Sequence, residues 1–187
     1  MKENKYLILV NKDNPMENEE DYEKVLCKSI YADDRTLEKK TYEQFLKLQD
    51  FVKTQGYTIA IESGYRSSSY QKKVWDECVL LHGLEHTKKF VAVPGYSEHQ
   101  TGLAVDFLLY ENNEFYEDQK MKGHKVLEIV RDNAYKFGFI IRYPEGKENI
   151  TGYGYEPWHL RYIDNVEMAK YIKENNLCLE EYLDTIM

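Results

Sequence analysis

The sequence lacks several features that would assign the protein to a broad class. Its 187 residues contain no apolar run near the roughly 20 residues that span a bilayer, so no transmembrane segment is expected. Lysine and arginine number 25 against 33 aspartates and glutamates, and the net charge of −8 argues against a nucleic-acid partner. Cys27, Cys78 and Cys178 are too few and too widely spaced for a disulfide framework or a cysteine zinc site.

The N-terminus also lacks the apolar core of a secretory signal. A cytoplasmic location is therefore expected for the chain as written, and a cell-envelope location if it is part of a longer protein. The length suits one domain, residues 1–187, because a chain of this size buries roughly 70% of the surface that its unfolded form exposes. Nothing in the composition indicates an oligomeric state.

Periodicity of the apolar residues predicts the secondary structure. Helical spacing favours helices over residues 41–55, 68–82, 123–137, 165–175 and 179–183, two of them opened by capping boxes at Thr41 and Ser68. Short apolar stretches favour strands over 6–10, 57–62, 103–110, 139–143 and 158–163. Because helices and strands do not alternate regularly, we expect an α+β fold with a central, mainly antiparallel sheet flanked by helices.

A histidine and a carboxylate lie seven residues apart in the segment 94–107. In one uninterrupted strand His99 and Asp106 would point to opposite faces, so a bend must intervene. Thr101 and Gly102 supply it, because glycine tolerates backbone dihedrals that other residues do not. Ala104 and Asp106 then share one face of the strand that follows.

A second pair of the same kind occurs at Glu156-Pro-Trp-His159. Residues three apart also fall on opposite faces of a strand, and Pro157 excludes an ordinary helix interior. We therefore expect the proline to reorient the chain, so that His159 points inward while Glu156 stands at the mouth of the strand. That position suits a general base that is not a metal ligand.

Together these residues supply the side chains that a catalytic zinc site requires. Two imidazoles and one carboxylate, from His99, His159 and Asp106, leave a coordination position for water, whose pKa zinc lowers to about 7. Arg66, in the loop between a predicted strand and a predicted helix, is the candidate to stabilise an oxyanion. Each residue alone has a structural alternative, since an isolated histidine or buried aspartate is more often a hydrogen-bonded structural residue.

Four motifs favour a zinc site over structural roles for these residues, because the motifs resemble those of the VanY-type zinc D,D-carboxypeptidases. The motifs are Ser63-Gly-Tyr-Arg-Ser67 with Gln71, the segment from Pro94 to Asp106, the segment from Tyr135 to Pro144, and Glu156-Pro-Trp-His-Leu-Arg-Tyr162. The resemblance runs from about residue 57 to the C-terminus, and the turn at 11–15 is also similar. Segments 17–40 and 83–93 match no pattern of the family.

The resemblance implies that His99, Asp106 and His159 bind Zn²⁺, that Glu156 is the catalytic base and that Arg66 stabilises the oxyanion. Ser97, Gln71 and Arg66 are implied to hold the substrate, with the first two at its C-terminal end. The implied fold is a small α+β domain around an antiparallel sheet, shared more distantly with hedgehog signalling domains.

The expected reaction is hydrolysis of the terminal D-alanine from a peptidoglycan stem peptide or a precursor that ends in D-Ala-D-Ala. An L,D-carboxypeptidase acting on tetrapeptide stems and a bifunctional D,D-dipeptidase and carboxypeptidase would use the same residues, so both stay open. A zinc-stabilised binding module without catalysis is the alternative outside the enzymes. Cobalt or nickel could occupy the same ligands.

Overall fold

An antiparallel sheet forms the centre of the fold in the computed structural model, which describes residues 4–28, 30–32 and 34–186. The strands are β1 (Lys24–Leu26), β2 (Thr36–Glu38), β3 (Thr58–Ser63), β4 (Ala104–Glu111), β5 (Glu114–Tyr116), β6 (Phe139–Tyr143) and β7 (Glu156–Tyr162). Their order in the main sheet is β3-β4-β7-β6, with β5 paired to β4, while β1 and β2 form a separate ribbon.

Helices flank this sheet, and the α+β fold is as predicted. They are α1 (Lys39–Thr54), α2 (Ser68–His82), α3 (Leu84–Phe90), α4 (Lys125–Asn133), α5 (Glu148–Thr151), α6 (Val166–Glu174) and α7 (Leu179–Ile186), together with short 3₁₀ turns such as Glu98–Thr101 and Asp118–Met121. Among the described residues, no helix has the length and apolar character needed to cross a membrane.

The core lies between α1, α4 and the sheet. Helix α1 buries Phe45, Leu48 and Val52 along one face, at the spacing expected of an amphipathic helix. Strand β4 is buried on both faces over its first six residues, because it lies between β3 and β7 and is covered on both sides. The strand that carries Asp106 therefore has a fixed position in the centre of the molecule.

Helices α2 and α3 form a hairpin that buries fewer side chains than α1 and β4 do. Gln71 is the buried residue of α2, and Thr87 is the buried residue of α3. Leu80 and Leu81, near the turn between the two helices, are 84% and 73% exposed. This helical hairpin therefore adds little to the core.

Several predicted boundaries are wrong. Residues 6–10 are not a strand; they begin in the 3₁₀ turn Lys5–Leu7, and the Arg161 guanidinium donates to the carbonyls of Tyr6 and Ile8 in place of a neighbouring strand. Helix α1 begins at Lys39 rather than Thr41, because the Glu38 carboxylate accepts from the Thr41 amide. The N-cap of α2 is Ser67 rather than Ser68, and the N-cap of α6 is Asn165 rather than Asp164, the residue that the sequence favours through its spacing from Glu167.

Candidate metal centre and active site

The bend predicted between His99 and Asp106 is a 3₁₀ turn followed by a left-handed glycine. Residues Glu98–Thr101 form the turn, and Gly102 has φ 73°. A Cβ atom on Gly102 would lie 2.7 Å from the Glu38 backbone nitrogen, so no larger residue fits. The chain then enters β4, where Asp106 has the orientation predicted for a ligand.

Strand β7 supplies the second half of the site. His159 is the direct partner of Asp106 in the antiparallel β4–β7 register. Between β6 and β7 the register shifts from the pair Ile141 and Leu160 to the pair Tyr143 and Glu156. This bulge, together with Pro157, reorients Glu156 toward the face that carries His159. The reorientation of the chain at Pro157 agrees with the expectation from the sequence. Glu156 and Pro157, however, lie within β7 and not before the strand.

The three predicted ligands converge. His99 Nε2 lies 3.2 Å from Asp106 Oδ2, and His159 Nδ1 lies 2.8 Å from Asp106 Oδ1. The two imidazole rings are perpendicular, with centroids 4.9 Å apart. Within the described part of the chain, these residues form the one group whose donor atoms lie close enough together to hold a metal ion.

The orientation of these donor atoms fits a cation better than mutual hydrogen bonds. His99 Nε2 and Asp106 Oδ1 are buried and have no hydrogen-bond partner among the described residues, although each lies near another polar atom. Buried polar atoms without partners are rare in folded proteins. Two nitrogens and a carboxylate aimed at one point are the ligand set of a catalytic zinc centre, so these residues fit that metal.

The other nitrogen of each imidazole is already used. His99 Nδ1 lies 2.6 Å from the Gly64 carbonyl, and His159 Nε2 lies 2.8 Å from Glu98 Oε1. A ring nitrogen that faces these acceptors carries the proton, so a metal would bind through His99 Nε2 and His159 Nδ1. Such outer hydrogen bonds fix the tautomer and the ring orientation of metal-binding histidines.

Glu98 is the centre of a buried charge network behind His159. Its Oε2 atom accepts hydrogen bonds from Arg142 Nε and Arg161 Nη1, each 2.9 Å long. Arg142 in turn forms a bidentate pair with Glu180 of α7, at 2.9 and 2.7 Å. Burial raises the pKa of Glu98, but the two arginines outweigh burial and hold that pKa far below its usual range.

The two histidines differ in pKa because their surroundings differ. Burial lowers the pKa of both. For His159, contacts with Asp106 and Glu98 outweigh burial and raise its pKa to about 10. For His99, burial and nearby Arg66 outweigh the attraction of Asp106 and lower its pKa. Burial raises the pKa of Asp106, but the two histidines hold that pKa well below its ordinary value.

Glu156 stands beside the three donors without joining them. Its Oε2 atom lies 3.8 Å from His159 Nδ1, and the residue is 7% exposed. Burial is the main reason that the pKa of Glu156 rises to about 8, with further repulsion from Asp106 and Asp118. A buried carboxyl with a raised pKa beside the three donors is suited to accept and return a proton.

Arg66 occupies the predicted loop between β3 and α2. Its Nη2 atom lies 3.8 Å from Asp106 Oδ2, and its backbone amide donates to the His99 carbonyl at 3.2 Å. Arg66 Nε is buried and has no hydrogen-bond partner among the described residues. The guanidinium therefore retains donors for an anionic group at this site.

The two predicted substrate residues differ in placement. Ser97 is buried and lines the cavity that contains the three predicted metal ligands. Gln71 is 1% exposed and does not line that cavity; its amide donates to the Ala92 carbonyl at 2.8 Å and so ties α2 to the chain beyond α3. The substrate-binding role of Gln71 stays a prediction.

The cavity has a volume of about 790 Å³ and contains both halves of the site. Glu62 of β3 and Asp118, after β5, line its side nearest β3. Burial, reinforced by repulsion from Asp106, raises the pKa of Glu62 to about 8 and that of Asp118 to about 6. The Arg66 guanidinium opposes this rise at both carboxyls.

Sequence reasoning missed the Glu98 network, Glu62 and Asp118. One signal could have found the network, because Arg142 and Arg161 each lie within an apolar strand. An arginine that is buried in a strand needs a buried carboxylate partner. Glu62 and Asp118 carry no comparable signal, since isolated acidic residues in short segments are usually solvated.

Comparison with known proteins identifies the relatives of this chain. The family model described as VanY, D-alanyl-D-alanine carboxypeptidase, matches residues 34–165. Bacillus subtilis YodJ is 45% identical over 152 residues, which cover 81% of this chain and 55% of YodJ. The bifunctional D-Ala-D-Ala dipeptidase and carboxypeptidase VanXYC of Enterococcus gallinarum is 33% identical over 95% of this chain and 93% of that protein.

Solved structures show the same fold. A variant of the vancomycin-resistance D,D-pentapeptidase VanY in complex with Zn(II) has a TM-score of 0.83 at 35% identity, covering 95% of this chain and 98% of its own. VanYB in complex with D-alanine-D-alanine has a TM-score of 0.84 at 35% identity and covers 96% and 98%. The L,D-carboxypeptidase LdcB has a TM-score of 0.81 at 41% identity and covers 96% and 86%.

Proposed function

The chain belongs to the VanY family of D-alanyl-D-alanine carboxypeptidases, and from this membership we propose that it removes the C-terminal D-alanine from peptidoglycan stem peptides or precursors that end in D-Ala-D-Ala. The chain spans about half the length of its Bacillus subtilis relative YodJ, so the activity and the substrate of the whole protein are part of the proposal.

One observation carries the proposal. Three convergent donors, from His99, Asp106 and His159, lie beside a buried carboxyl, Glu156, that is close to them without joining them. A purely structural metal site does not need a fourth, uncommitted carboxyl, or a guanidinium whose Nε donor is free among the described residues, in the same cavity. Hydrolysis of a peptide bond can use both, the carboxyl as general base and the guanidinium as a donor to the oxyanion.

His99 Nε2, His159 Nδ1 and the Asp106 carboxylate would hold Zn²⁺. When bound, zinc would supply a Lewis acid that polarises the scissile carbonyl and lowers the pKa of water. The Glu98 network would hold His159 in the tautomer that leaves Nδ1 free.

The protein's own groups would then carry the proton and the charge. Glu156 would accept a proton from the attacking water and return it to the amine nitrogen of the leaving D-alanine, so that the C–N bond breaks without expelling an anionic amine. The Arg66 guanidinium would donate to the oxyanion of the tetrahedral intermediate. The products are free D-alanine and a peptide shortened by one residue.

A second candidate, hydrolysis of the free dipeptide D-Ala-D-Ala, has a specific observation in its favour. Glu62 and Asp118 line the cavity on the side of β3 and present carboxyls to any ligand there. The α-ammonium group of a dipeptide would find a favourable electrostatic partner on that side. VanXYC, which this chain matches over most of its length, is described as having both activities.

The decisive experiment measures D-alanine release from three substrates by the zinc-loaded protein and by the same protein after chelation. The substrates are D-Ala-D-Ala, a tetrapeptide stem and a pentapeptide stem. We expect release from the pentapeptide, dependence on the metal, and weaker release from the dipeptide. Release from the tetrapeptide alone would assign the L,D activity, and zinc binding without any release would favour a binding module.

A further inference from the structure

Glu180, in the first turn of the C-terminal helix α7, bonds to the charge network behind His159 although it does not line the cavity. Its carboxylate accepts two hydrogen bonds from Arg142, at 2.9 and 2.7 Å, and one from the Asn11 side-chain amide, at 3.1 Å. Burial raises the pKa of Glu180, but Arg142 and Asn11 outweigh burial and lower that pKa. Glu180 is therefore an anion held in place by groups of the protein.

A continuous chain of short contacts links Glu180 to a predicted metal ligand. Beyond Glu180, Arg142 Nε donates to Glu98 Oε2 at 2.9 Å, and Glu98 Oε1 lies 2.8 Å from His159 Nε2. Arg142, Glu98 and His159 are all buried. Because water cannot readily replace a partner that is lost from a buried network, a change at Glu180 should reach His159.

The two oxygens of Glu98 are shared among three donors. Oε1 faces His159, while Oε2 accepts from Arg142 and Arg161. A guanidinium has five N–H donors and pairs readily with both oxygens of one carboxylate. Glu180 occupies both Nη atoms of Arg142, so Arg142 bonds to Glu98 through Nε alone. Without Glu180, the guanidinium would be free to turn onto both oxygens of Glu98 and compete with His159 for Oε1.

Charge balance gives Glu180 a second effect on the same site. Arg142 and Arg161 are two cations, and Glu98 and Glu180 are the two anions that pair with them. Loss of the charge of Glu180 would leave one positive charge of this network unbalanced. Since charges in the interior are screened weakly, that charge would oppose a cation bound at His159.

We propose that Glu180 is a positioning residue of the metal centre: by occupying the Nη atoms of Arg142, it keeps Glu98 bonded to His159 and so raises the affinity of the site for zinc. This inference rests on the proposed function, which it deepens by connecting α7 to the zinc site. Glu180 contacts neither the substrate nor the reacting atoms.

The test measures the zinc dissociation constant of the wild type and of Glu180→Gln by competition with a chelating dye. Outer hydrogen-bond partners of metal-binding histidines contribute about 10–100-fold to metal affinity. Because Glu180 acts through Arg142 and Glu98, we expect the dissociation constant to rise about tenfold, the lower end of that range. At saturating zinc, KM for the pentapeptide stem should stay unchanged, since Glu180 does not line the cavity.

Glu181→Gln is the matched control. Glu181 is the next residue of α7, and it pairs with Lys147 at 2.8 Å and not with Arg142. Both variants remove one ion pair of the helix and should lower the melting temperature, but Glu181→Gln should bind zinc as the wild type does. Glu180→Asp keeps the charge with a shorter side chain, so it should fold even if Glu180→Gln does not and should weaken zinc binding by a smaller factor.

An unchanged zinc dissociation constant in the folded Glu180 variants, or an equal rise in Glu181→Gln, would show that Glu180 only anchors α7. Either result would overturn the inference while leaving the proposed function intact. Absence of D-alanine release by the zinc-loaded wild type would instead overturn the proposed function, and the comparison of zinc affinities would still decide the inference.

Discussion

The side of the cavity that carries His99, Asp106 and His159 is packed differently from the wall formed by α2 and α3. On the first side, Glu98 bonds to His159, Arg142 and Arg161, and all four residues are buried. On the second side, Gln71 is the buried residue of a 15-residue helix. The difference teaches that His99, Asp106 and His159 are held by buried contacts, whereas α2 and α3 contribute few buried residues to the wall of the cavity.

The comparison predicts its largest effect at Glu98. Glu98→Gln leaves two buried guanidinium groups without their shared carboxylate, and breaking a buried ion pair costs about 3–5 kcal/mol of the free energy of unfolding. Urea denaturation measures this loss. The matched control is Glu85→Gln, which removes an exposed pair with Lys88 on α3. An equal, small effect at both sites would show that the network contributes no more than a surface pair.

Two leucines test the same contrast without charge. Leu160 of β7 is fully buried, whereas Leu80 of α2 is 84% exposed. Leu160→Ala should lower the free energy of unfolding by about 2–5 kcal/mol through lost burial and the cavity left behind. Leu80→Ala should leave the denaturation midpoint unchanged. A comparable loss at Leu80 would mean that the α2 wall is packed against something in solution.

A substitution at Gln71 should lower the free energy of unfolding less than Glu98→Gln or Leu160→Ala, and it tests how the α2–α3 wall is held. Gln71→Leu removes the donor to the Ala92 carbonyl and should cost about 1–3 kcal/mol. Amide hydrogen exchange should become faster in α2 and stay unchanged in β4 and β7. Zinc affinity should also stay unchanged.

Unaltered exchange in α2 together with a raised KM would contradict a tethering role for Gln71. That result would favour the direct contact with substrate that the sequence resemblance implies.

The fold was predictable wherever local pattern and tertiary environment agree. Strand β6 coincides with the predicted residues 139–143, because an apolar run between Gly138 and Pro144 has no other way to be buried. The segment 6–10 has a similar apolar run but is not a strand. Its carbonyls are bonded by Arg161, more than 150 residues away in sequence, and no local pattern contains that information.

The residues of the site also fall into two groups, those that a local motif predicts and those that depend on tertiary structure. The placement of His99, Asp106, Glu156 and His159 follows from short motifs whose glycine and proline enforce the geometry. The Glu98 network joins residues 44 and 63 positions apart, so its members could only be paired once the strand order was known. Glu62 and Asp118 needed the sheet topology as well, because β3 and β5 both pair with β4 and thereby bring the two residues to the cavity.

Glu156→Ala tests the central claim most directly, because it separates metal binding from catalysis in one protein. Zinc content by mass spectrometry and D-alanine release from the pentapeptide stem should be measured on the same preparation. We predict one zinc per chain, as in the wild type, with kcat lower by about 10²–10⁴-fold, the range that general acid–base groups contribute. Undiminished release would contradict the role of Glu156 as the base, and loss of zinc would show that Glu156 is itself a ligand.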